Sequence, residues 1–266
     1  MPGFSIEFAV GMAVLGIGVG LISSALGLGG GILMVPAFMT FVAGMDARTA
    51  KGTSLFIIFF VVILNTWRLR TRIDKDLWRL AFVMALGSIV GGYIGGWVTS
   101  LMPDDVVLWI FIAFLVVAAL RTFLIRPRVV HAEEVRRRTP ATIAIGAVSG
   151  IVGGATGTGG GLVLIPLALI AGVVTNERAV ALSNMVMIAT GFAGTVAHLR
   201  AEASLDLPYT MGHVNFALAP LVFIGAQIAG PPGIRLERML TLPRRKLIMG
   251  VLLLVISVRL AYQALR

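Results

Sequence analysis

Residues 27–31 read GLGGG and precede Pro36, and residues 157–161 read GTGGG and precede Pro166. The two copies are 130 positions apart, and each lies inside a long apolar stretch. The same offset aligns further small residues, so that eight identities support one internal duplication. The matched pairs are Gly16 and Gly146, Gly20 and Gly150, Ala25 and Ala155, Gly27 and Gly157, Gly29 and Gly159, Gly30 and Gly160, Gly31 and Gly161, and Pro36 and Pro166.

The composition places this chain in a membrane. Of its 266 residues, 58% are hydrophobic and 13% are charged, and the mean hydropathy is +0.98, whereas about 25% of residues are charged in an ordinary soluble domain. Most apolar stretches approach the roughly 20 residues that cross a bilayer core. Because backbone polar groups in lipid must bond internally and no alternating strand pattern is present, the sequence predicts an all-α polytopic membrane protein. The stretches are 6–26, 28–43, 53–67, 80–100, 106–125, 140–156, 159–174, 179–198, 211–230 and 247–265.

The same sequence disfavours several other classes of protein. It has no cysteine, so neither disulfides nor thiolate metal sites are expected, and no cofactor or metal is predicted. No Lys or Arg precedes the first apolar stretch, which we therefore interpret as a retained helix rather than a cleaved signal peptide. The net charge of +10 comes from basic residues between apolar stretches, so it does not indicate nucleic-acid binding.

The duplication divides the chain into three parts. A first membrane repeat covers residues 1–125, a basic linker covers 126–139, and a second membrane repeat covers 140–266. The linker holds five arginines, one histidine and two glutamates. The alignment continues later in the repeats with a small insertion, since Gly91 corresponds to Gly225.

Loop charges predict opposite orientations for the two repeats. Cytoplasmic loops collect Lys and Arg, and five basic residues follow the third apolar stretch, whereas the equivalent loop at 199–210 holds one. The bias reverses in the next pair of loops, because 103–105 has no basic residue and 231–246 has five. We therefore predict an inverted-topology repeat, with the N-terminus periplasmic and the central linker cytoplasmic. The five residues of the first loop are Arg68, Arg70, Arg72, Lys75 and Arg79.

An inverted repeat requires that each half cross the membrane an odd number of times. Residues 6–43 are too many for one crossing, but 28–43 alone would form only about 24 Å of helix. Each half is therefore predicted to contain a helical hairpin tipped by glycines and three transmembrane helices, giving eight to ten membrane helices in total. Whether the second arm of each hairpin crosses fully or turns back is left open.

The glycine tips suggest an anion site. Non-helical backbone inside a membrane survives only when it is buried in protein or lines a cavity, and a helix that begins after such a break presents free N–H groups and the positive end of its dipole. Alternatively, the glycines only allow helices to pack closely, which is the favoured interpretation for Gly16, Gly20, Gly146 and Gly150. A dinucleotide-binding loop is disfavoured, because no strand precedes either glycine phrase.

The duplicated pattern resembles a known family. Gly16 and Gly20, then the glycines of 27–31, then Pro36, repeated in the second half, are similar to the TauE/SafE sulfite-exporter family, also called the toluene-sulfonate uptake permease superfamily. The similarity covers nearly the whole chain. It implies a permease of the bacterial inner membrane for sulfite, sulfonates or related organosulfur anions. The signature is specific for the family but not for a substrate.

Further polar residues recur near the glycines and are candidates for the substrate site. Thr53 and Ser54 correspond to Ser183 and Asn184, and their hydroxyl or amide groups suit sulfonate oxygens. Alternatively, Ser and Thr bond to carbonyls of their own helix. The predicted substrate-binding set is Gly29, Gly30, Gly31, Gly159, Gly160, Gly161, Ser24, Thr53, Ser54, Thr158, Ser183 and Asn184, with Asn65, His198 and Gln227 as a polar or proton pathway.

The sequence carries few signals for energy coupling. No Asp or Glu lies within an apolar stretch away from its ends, which weakens a carboxylate relay. Two alternatives stay open: export down a gradient, and cotransport in which His198 or the substrate itself carries the proton. Lys51, Arg48 and Arg178 lie near the starts of apolar stretches. Two roles are open to them: electrostatic attraction of anions and solvated contact with lipid headgroups, which is the favoured one.

A secondary anion transporter is the predicted function, with a small anionic substrate and the lipid bilayer as its partners. A passive anion channel is the alternative. An enzyme or a scaffold is less favoured, because the chain has only three histidines and no matching catalytic motif. Substrate identity, transport direction, coupling ion and oligomeric state stay open.

Overall fold

The computed structural model describes residues 6–26, 30–124, 130–131, 135, 139–203 and 208–265. Within these residues the chain forms ten α-helices, one 3₁₀ helix and a short β-hairpin, which confirms an all-α polytopic membrane fold. Seven of the described helices are long and apolar enough to cross a membrane. The elements are α1 (Ile6–Leu26), α2 (Gly31–Phe41), α3 (Ala47–Arg68), the 3₁₀ helix (Arg70–Arg72), α4 (Lys75–Ser100), α5 (Asp104–Leu124), α6 (Thr139–Thr156), α7 (Gly161–Ile170), α8 (Asn176–Leu199), β1 (Thr210–Met211), β2 (Val214–Asn215), α9 (Leu218–Met239) and α10 (Leu242–Ala264).

Aspartate caps set the starts of α3 and α4. The Asp46 side chain accepts the Thr49 N–H at 2.9 Å, and Asp74 accepts the Leu77 N–H at 2.8 Å. Each carboxylate satisfies an N–H group that the first turn of a helix leaves free. The cap on α3 starts this helix at Ala47, six residues before the apolar stretch 53–67, and so brings a polar turn into the helix.

The second arm of each hairpin is too short to span the membrane. Helix α2 has 11 residues and α7 has 10 residues, which gives about 16 and 15 Å of helix. A bilayer core is about 30 Å thick. Neither arm is therefore long enough to cross a bilayer core by itself.

The first helix of each repeat packs on the fourth helix of the other repeat. A Cβ at Gly20 of α1 would lie 2.6 Å from the Ala226 Cα of α9, and a Cβ at Gly150 of α6 would lie 2.6 Å from the Ser88 carbonyl oxygen of α4. Gly16 and Gly146 approach the facing backbone in the same way. These four glycines therefore serve close helix packing, as small residues do between membrane helices.

Helices α3 and α8 cross at the centre of the bundle in opposite directions. A Cβ at Gly52 would lie 3.0 Å from the His198 Cβ, and a Cβ at Gly191 would lie 3.2 Å from the Phe59 Cα. Residue numbers thus rise along one helix as they fall along the other. Since α3 and α8 occupy equivalent places in the two repeats, this antiparallel crossing agrees with an inverted repeat.

Two sequence predictions in the second repeat are wrong. Residues 211–230 do not form one apolar helix, because Thr210–Met211 and Val214–Asn215 pair as an antiparallel hairpin before α9 begins. The loop predicted at 231–246 is reduced to 240–241, because α9 continues to Met239 through Pro231 and Pro232. Asn215 is the physical reason for the first change, since its side chain accepts the N–H groups of Ala217 and Leu218 and starts the helix there.

Candidate functional site

The two hairpin tips are residues 27–30, of which the structure describes only Gly30, and residues 157–160; the start of α2, directly after the first tip, meets the second tip against α3. A Cβ at Gly31, the first residue after the first tip, would contact the Gly157 carbonyl oxygen and lie 2.7 Å from the Thr158 Cα. The Ser54 hydroxyl of α3 donates to the same Gly157 carbonyl at 2.8 Å. Because glycine alone lacks the Cβ, its presence at position 31 allows the tips to touch where α2 and α7 begin.

Left-handed glycines start both short helices. Gly30 has φ 77° and Gly160 has φ 87°, and neither helix start has a side-chain cap. Residues with a Cβ rarely adopt this conformation. In the part of the chain that the structure describes, no hydrogen bond satisfies the first N–H groups of these helices, those of Gly31, Ile32, Gly161 and Leu162. Free N–H groups at a helix start favour negative charge.

Of two further predicted tip residues, the structure describes Thr158 but not Gly29. Gly29, with Gly27 and Leu28, lies outside the described residues, so the first tip is described from Gly30 onward. Thr158 is fully buried, and its hydroxyl oxygen lies 2.8 Å from that of Thr156. The hydroxyl of Thr158 is thus engaged within its own tip.

Lys51 lies at the centre of the site, and the prediction that it contacts lipid headgroups is wrong. Its side chain is 0% exposed, and its ammonium donates to the Ala155 carbonyl at 2.9 Å. A Cβ at Gly157 would lie 2.8 Å from the Lys51 Cα. Because the Asp46 cap extends α3 upstream, Lys51 is one turn inside the helix, where the end of α6 and the second tip cover it. No carboxylate of the described residues forms an ion pair with it.

The duplicated polar pairs have different environments. Thr53 accepts the Asn215 N–H at 2.9 Å and so bonds to the β-hairpin, whereas Ser54 bonds to the second tip. Ser183 and Asn184 are both 0% exposed on α8. The Asn184 side-chain amide has no hydrogen-bond partner among the described residues, which is costly for a buried polar group and marks it as a group available to a ligand.

Three other predicted residues make their contacts away from the meeting point of the tips. The Ser24 hydroxyl donates to Asn65 Oδ1 at 3.2 Å, and Asn65 lies 11 residues beyond Ser54 on α3, about 16 Å along the helix. On α9, the backbone carbonyl of Gln227 accepts a hydrogen bond from Arg68 Nη2 at 3.0 Å. The side-chain amide of Gln227 has no hydrogen-bond partner in the described part of the chain. Ser24, Asn65 and Gln227 are therefore apart from the meeting point of the tips.

His198 is paired with a histidine that the sequence did not single out. Its ring Nδ1 lies 3.4 Å from the ring Nδ1 of His213, and the backbone N–H of His213 donates to the backbone carbonyl of His198 at 2.9 Å. Gly212, with φ 57°, makes the turn that brings His213 back onto the end of α8. Burial lowers the pKa of the His213 imidazole; Arg48 and Lys51 act in the same direction and the charge of Asp46 opposes them. No sequence signal indicated this pair, because residues 211–230 read as one membrane stretch.

Ion pairs between the repeats surround a cavity at the opposite end of the bundle. Glu237 of α9 is 4% exposed and pairs with Arg72 at 2.8 Å and with Arg245 at 3.2 Å. Asp74 and Arg178 form a second pair at 2.8 Å. All five residues line a polar cavity of about 650 Å³. Side chains of both repeats thus hold this end of the bundle together.

Sequence comparisons agree with the membrane fold. The profile of the family described as "Sulfite exporter TauE/SafE" matches residues 12–260. A "Probable membrane transporter protein" of Methanocaldococcus jannaschii is 27% identical over 236 residues, covering 85% of each chain. A protein of the same description from Bacillus subtilis is 26% identical over 277 residues, covering 96% of this chain and 97% of its own. "Sulfite exporter TauE/SafE family protein 5" of Arabidopsis thaliana is 35% identical over 106 residues, covering 38% of this chain and 23% of its own. No solved structure matches the chain.

Proposed function

Because this chain belongs to the TauE/SafE sulfite exporter family, we propose that it is a secondary transporter for a small sulfur-containing anion such as sulfite, a sulfonate or a related organosulfur anion. It is a multi-pass membrane transporter, as the family and the named relatives indicate. We place it in the bacterial inner membrane, with the N-terminus in the periplasm and the linker in the cytoplasm. The comparisons give no support to a passive channel.

One observation carries the choice of an anion: the buried ammonium of Lys51. It donates to the Ala155 carbonyl and forms no ion pair within the described residues. The protonated form of this amine is costly to bury without a negative charge beside it. An anionic substrate beside the second tip supplies the missing negative charge, whereas a cation there would be repelled.

We place the anion between the two tips, on the side where α3 and α8 cross. A sulfur oxyanion presents several acceptor oxygens, and the free N–H groups at the starts of α2 and α7 are donors for them. The Asn184 amide adds an uncommitted donor. The glycines at 29–31 and 159–161 allow oxygens to approach the backbone, because they carry no Cβ.

Transport through this site requires a conformational change. Gly31 packs directly on Gly157 in this structure, so the tips must separate to admit an anion. A carrier behaves in this way: contact between its two repeats closes the site, and their relative movement opens it. In our proposal, Ser24, Asn65 and Gln227 line the cytoplasmic half of the path, with Arg68 as its basic residue.

The test is exchange of radiolabelled anion in proteoliposomes. We expect the wild-type protein to exchange at least one of sulfite, thiosulfate and methanesulfonate, with no proton gradient imposed. Lys51→Met should weaken the apparent affinity by about 30-fold or more, because removing one partner of a buried charge pair costs about 2–5 kcal/mol. Lys51→Arg should recover part of that affinity by keeping the charge.

Lys75→Met is the matched control, because Lys75 is exposed at the start of α4. It should exchange anions as the wild-type protein does. If none of the three anions is exchanged by the wild-type protein, the proposed function is wrong. If Lys51→Met exchanges them with unchanged affinity, the anion is not bound at Lys51.

A further inference from the structure

The histidine pair beside Lys51 is a titratable group that anion binding alone does not require. His198 is 0% exposed and His213 is 1% exposed. They lie where α8 ends and the β-hairpin folds over it, since the His213 N–H donates to the His198 carbonyl. The described membrane helices carry Asp and Glu only toward their ends, so this pair and Lys51 are the buried ionisable groups close to the tips.

The geometry of the two rings leaves room for one more proton. At a separation of 3.4 Å between the Nδ1 atoms, one ring donates its Nδ1–H and the other accepts. The donor ring then has a free lone pair on Nε2, because a neutral imidazole carries one N–H. Neither Nε2 atom has a well-formed hydrogen bond in the described part of the chain; the backbone groups beside the two rings are those of Gly154 and Glu202. A proton that binds this lone pair makes the donor ring an imidazolium and breaks no other bond.

Charged groups face the pair from only some of the elements around it. From α3, Lys51 faces both histidines, and Asp46 and Arg48 at the start of that helix face His213. From α6, the backbone of Gly154 faces His198, and from the loop after α8, that of Glu202 faces His213. Helix α6 has no ionisable side chain, and those of α4 other than Tyr93 lie in its first two turns.

An anion and a proton at this place would stabilise each other. A protonated pair beside the Lys51 ammonium is a concentration of positive charge under low-dielectric conditions, which is unfavourable until an anion enters. The second tip contacts Lys51, and α8 contacts the next residue of α3 through His198. The proposed anion site and the histidine pair therefore lie against neighbouring residues of α3, Lys51 and Gly52.

We propose that the His198–His213 pair is a proton-binding site that couples the transport of one proton to that of the anion. This inference rests on the proposed function, because it needs an anion at Lys51. The pair takes its proton from water on the side of the β-hairpin and releases it when the anion leaves on the other side. The bond from the Asn215 N–H to Thr53 holds the hairpin over the pair while the site is closed.

The experiment separates coupling from transport. Proteoliposomes with the membrane voltage clamped at zero are first tested for exchange of sulfite, thiosulfate and methanesulfonate at equal pH. Accumulation is then driven by an inward proton gradient of one pH unit. With one proton carried per monovalent anion, the wild-type protein should accumulate the anion about tenfold, since a tenfold gradient of protons can support a tenfold gradient of anion.

His198→Gln and His213→Gln should each exchange anions at equal pH but show no accumulation above equilibration. His131→Gln is the matched control, because His131 is exposed in the linker, and it should accumulate anion about tenfold like the wild-type protein. Exchange at equal pH also shows that each variant is folded. Free sulfite binds protons itself, but equally in every sample, so the difference between variants isolates the protein.

Four outcomes would each overturn either the proposed function or the proton coupling. Absence of exchange for all three anions overturns the proposed function. Exchange without gradient-driven accumulation in the wild-type protein overturns the coupling alone. Undiminished accumulation in both histidine variants also overturns it. Loss of exchange at equal pH in both variants, with unchanged elution on size exclusion, assigns the histidines to the anion site and overturns their role as the proton site.

Discussion

Replacing Gly31 by alanine should force the two hairpin tips apart. The added Cβ would contact the Gly157 carbonyl oxygen and lie 2.7 Å from the Thr158 Cα, whereas carbon atoms pack at about 3.5–4.0 Å. The backbone of one tip must therefore move by about 1 Å. Overpacking of a close contact costs about 1–3 kcal/mol, and each kcal/mol lowers Tm by about 2–4 °C in a chain of this length. We expect Tm to fall by about 2–12 °C.

The measurement is thermal unfolding of the detergent-purified protein, followed by the fluorescence of its four tryptophans. Gly11→Ala is the matched control, because a Cβ at Gly11 would have no atom within 4 Å and alanine is favoured over glycine in a helix by about 1 kcal/mol. Its Tm should stay or rise. If Gly31→Ala unfolds at the same temperature as Gly11→Ala, Gly31 does not pack directly on Gly157 and Thr158.

Two further predictions concern topology and pH. The chain has no cysteine, so single cysteines introduced as Asp105→Cys and Arg238→Cys, both at exposed positions, should be labelled from opposite sides of the membrane; labelling from one side would contradict the inverted repeat. Because burial lowers the pKa of His213 in the folded protein, its neutral form contributes stability that is present above the unfolded value of about 6.5 and is lost as pH falls through the folded value. Tm should therefore fall on acidification, and less so in His213→Gln; an equal fall in both would contradict this.

The glycines of this protein have two distinct physical roles. Those at 16, 20, 146 and 150 have no side chain because a neighbouring helix occupies the space that a Cβ would need. Those at 30, 157, 159 and 160 also adopt positive φ values, which start the short helices α2 and α7. The first role builds rigid pairs of helices from the two repeats. The second role produces the backbone breaks on which the proposed anion site depends.

The membrane fold could be predicted from the sequence because its determinants are local or repeated. Hydrophobic stretches of bilayer length identify spanning helices from composition alone, and an offset of 130 reports the duplication without any structure. The prediction was wrong at 211–246, where Asn215 starts α9 later than the apolar stretch and the helix runs on through two prolines. Helix boundaries depend on single side-chain contacts, which average hydrophobicity does not report.

The candidate site was predicted only in part. Ser54 and the glycines at 31 and 157 lie together, but Ser24 and Asn65 bond to each other elsewhere. The sequence placed Lys51 at the membrane surface, because a lysine two residues before the apolar stretch 53–67 is normally solvated. Its burial depends on the end of α6, which is more than 100 residues away in the sequence.

The sequence by itself determined that this protein is a duplicated helical membrane protein of a transporter family, because hydropathy, loop charge and repeated glycines are properties of the chain. Only the tertiary structure decided which polar groups lie close to one another. Lys51 contacts the second tip where α3 packs against the end of α6. His198 contacts His213 because the short β-hairpin folds back onto the end of α8. The physical reason is that burial and charge proximity depend on distances between segments, and these distances are set by packing rather than by order in the chain.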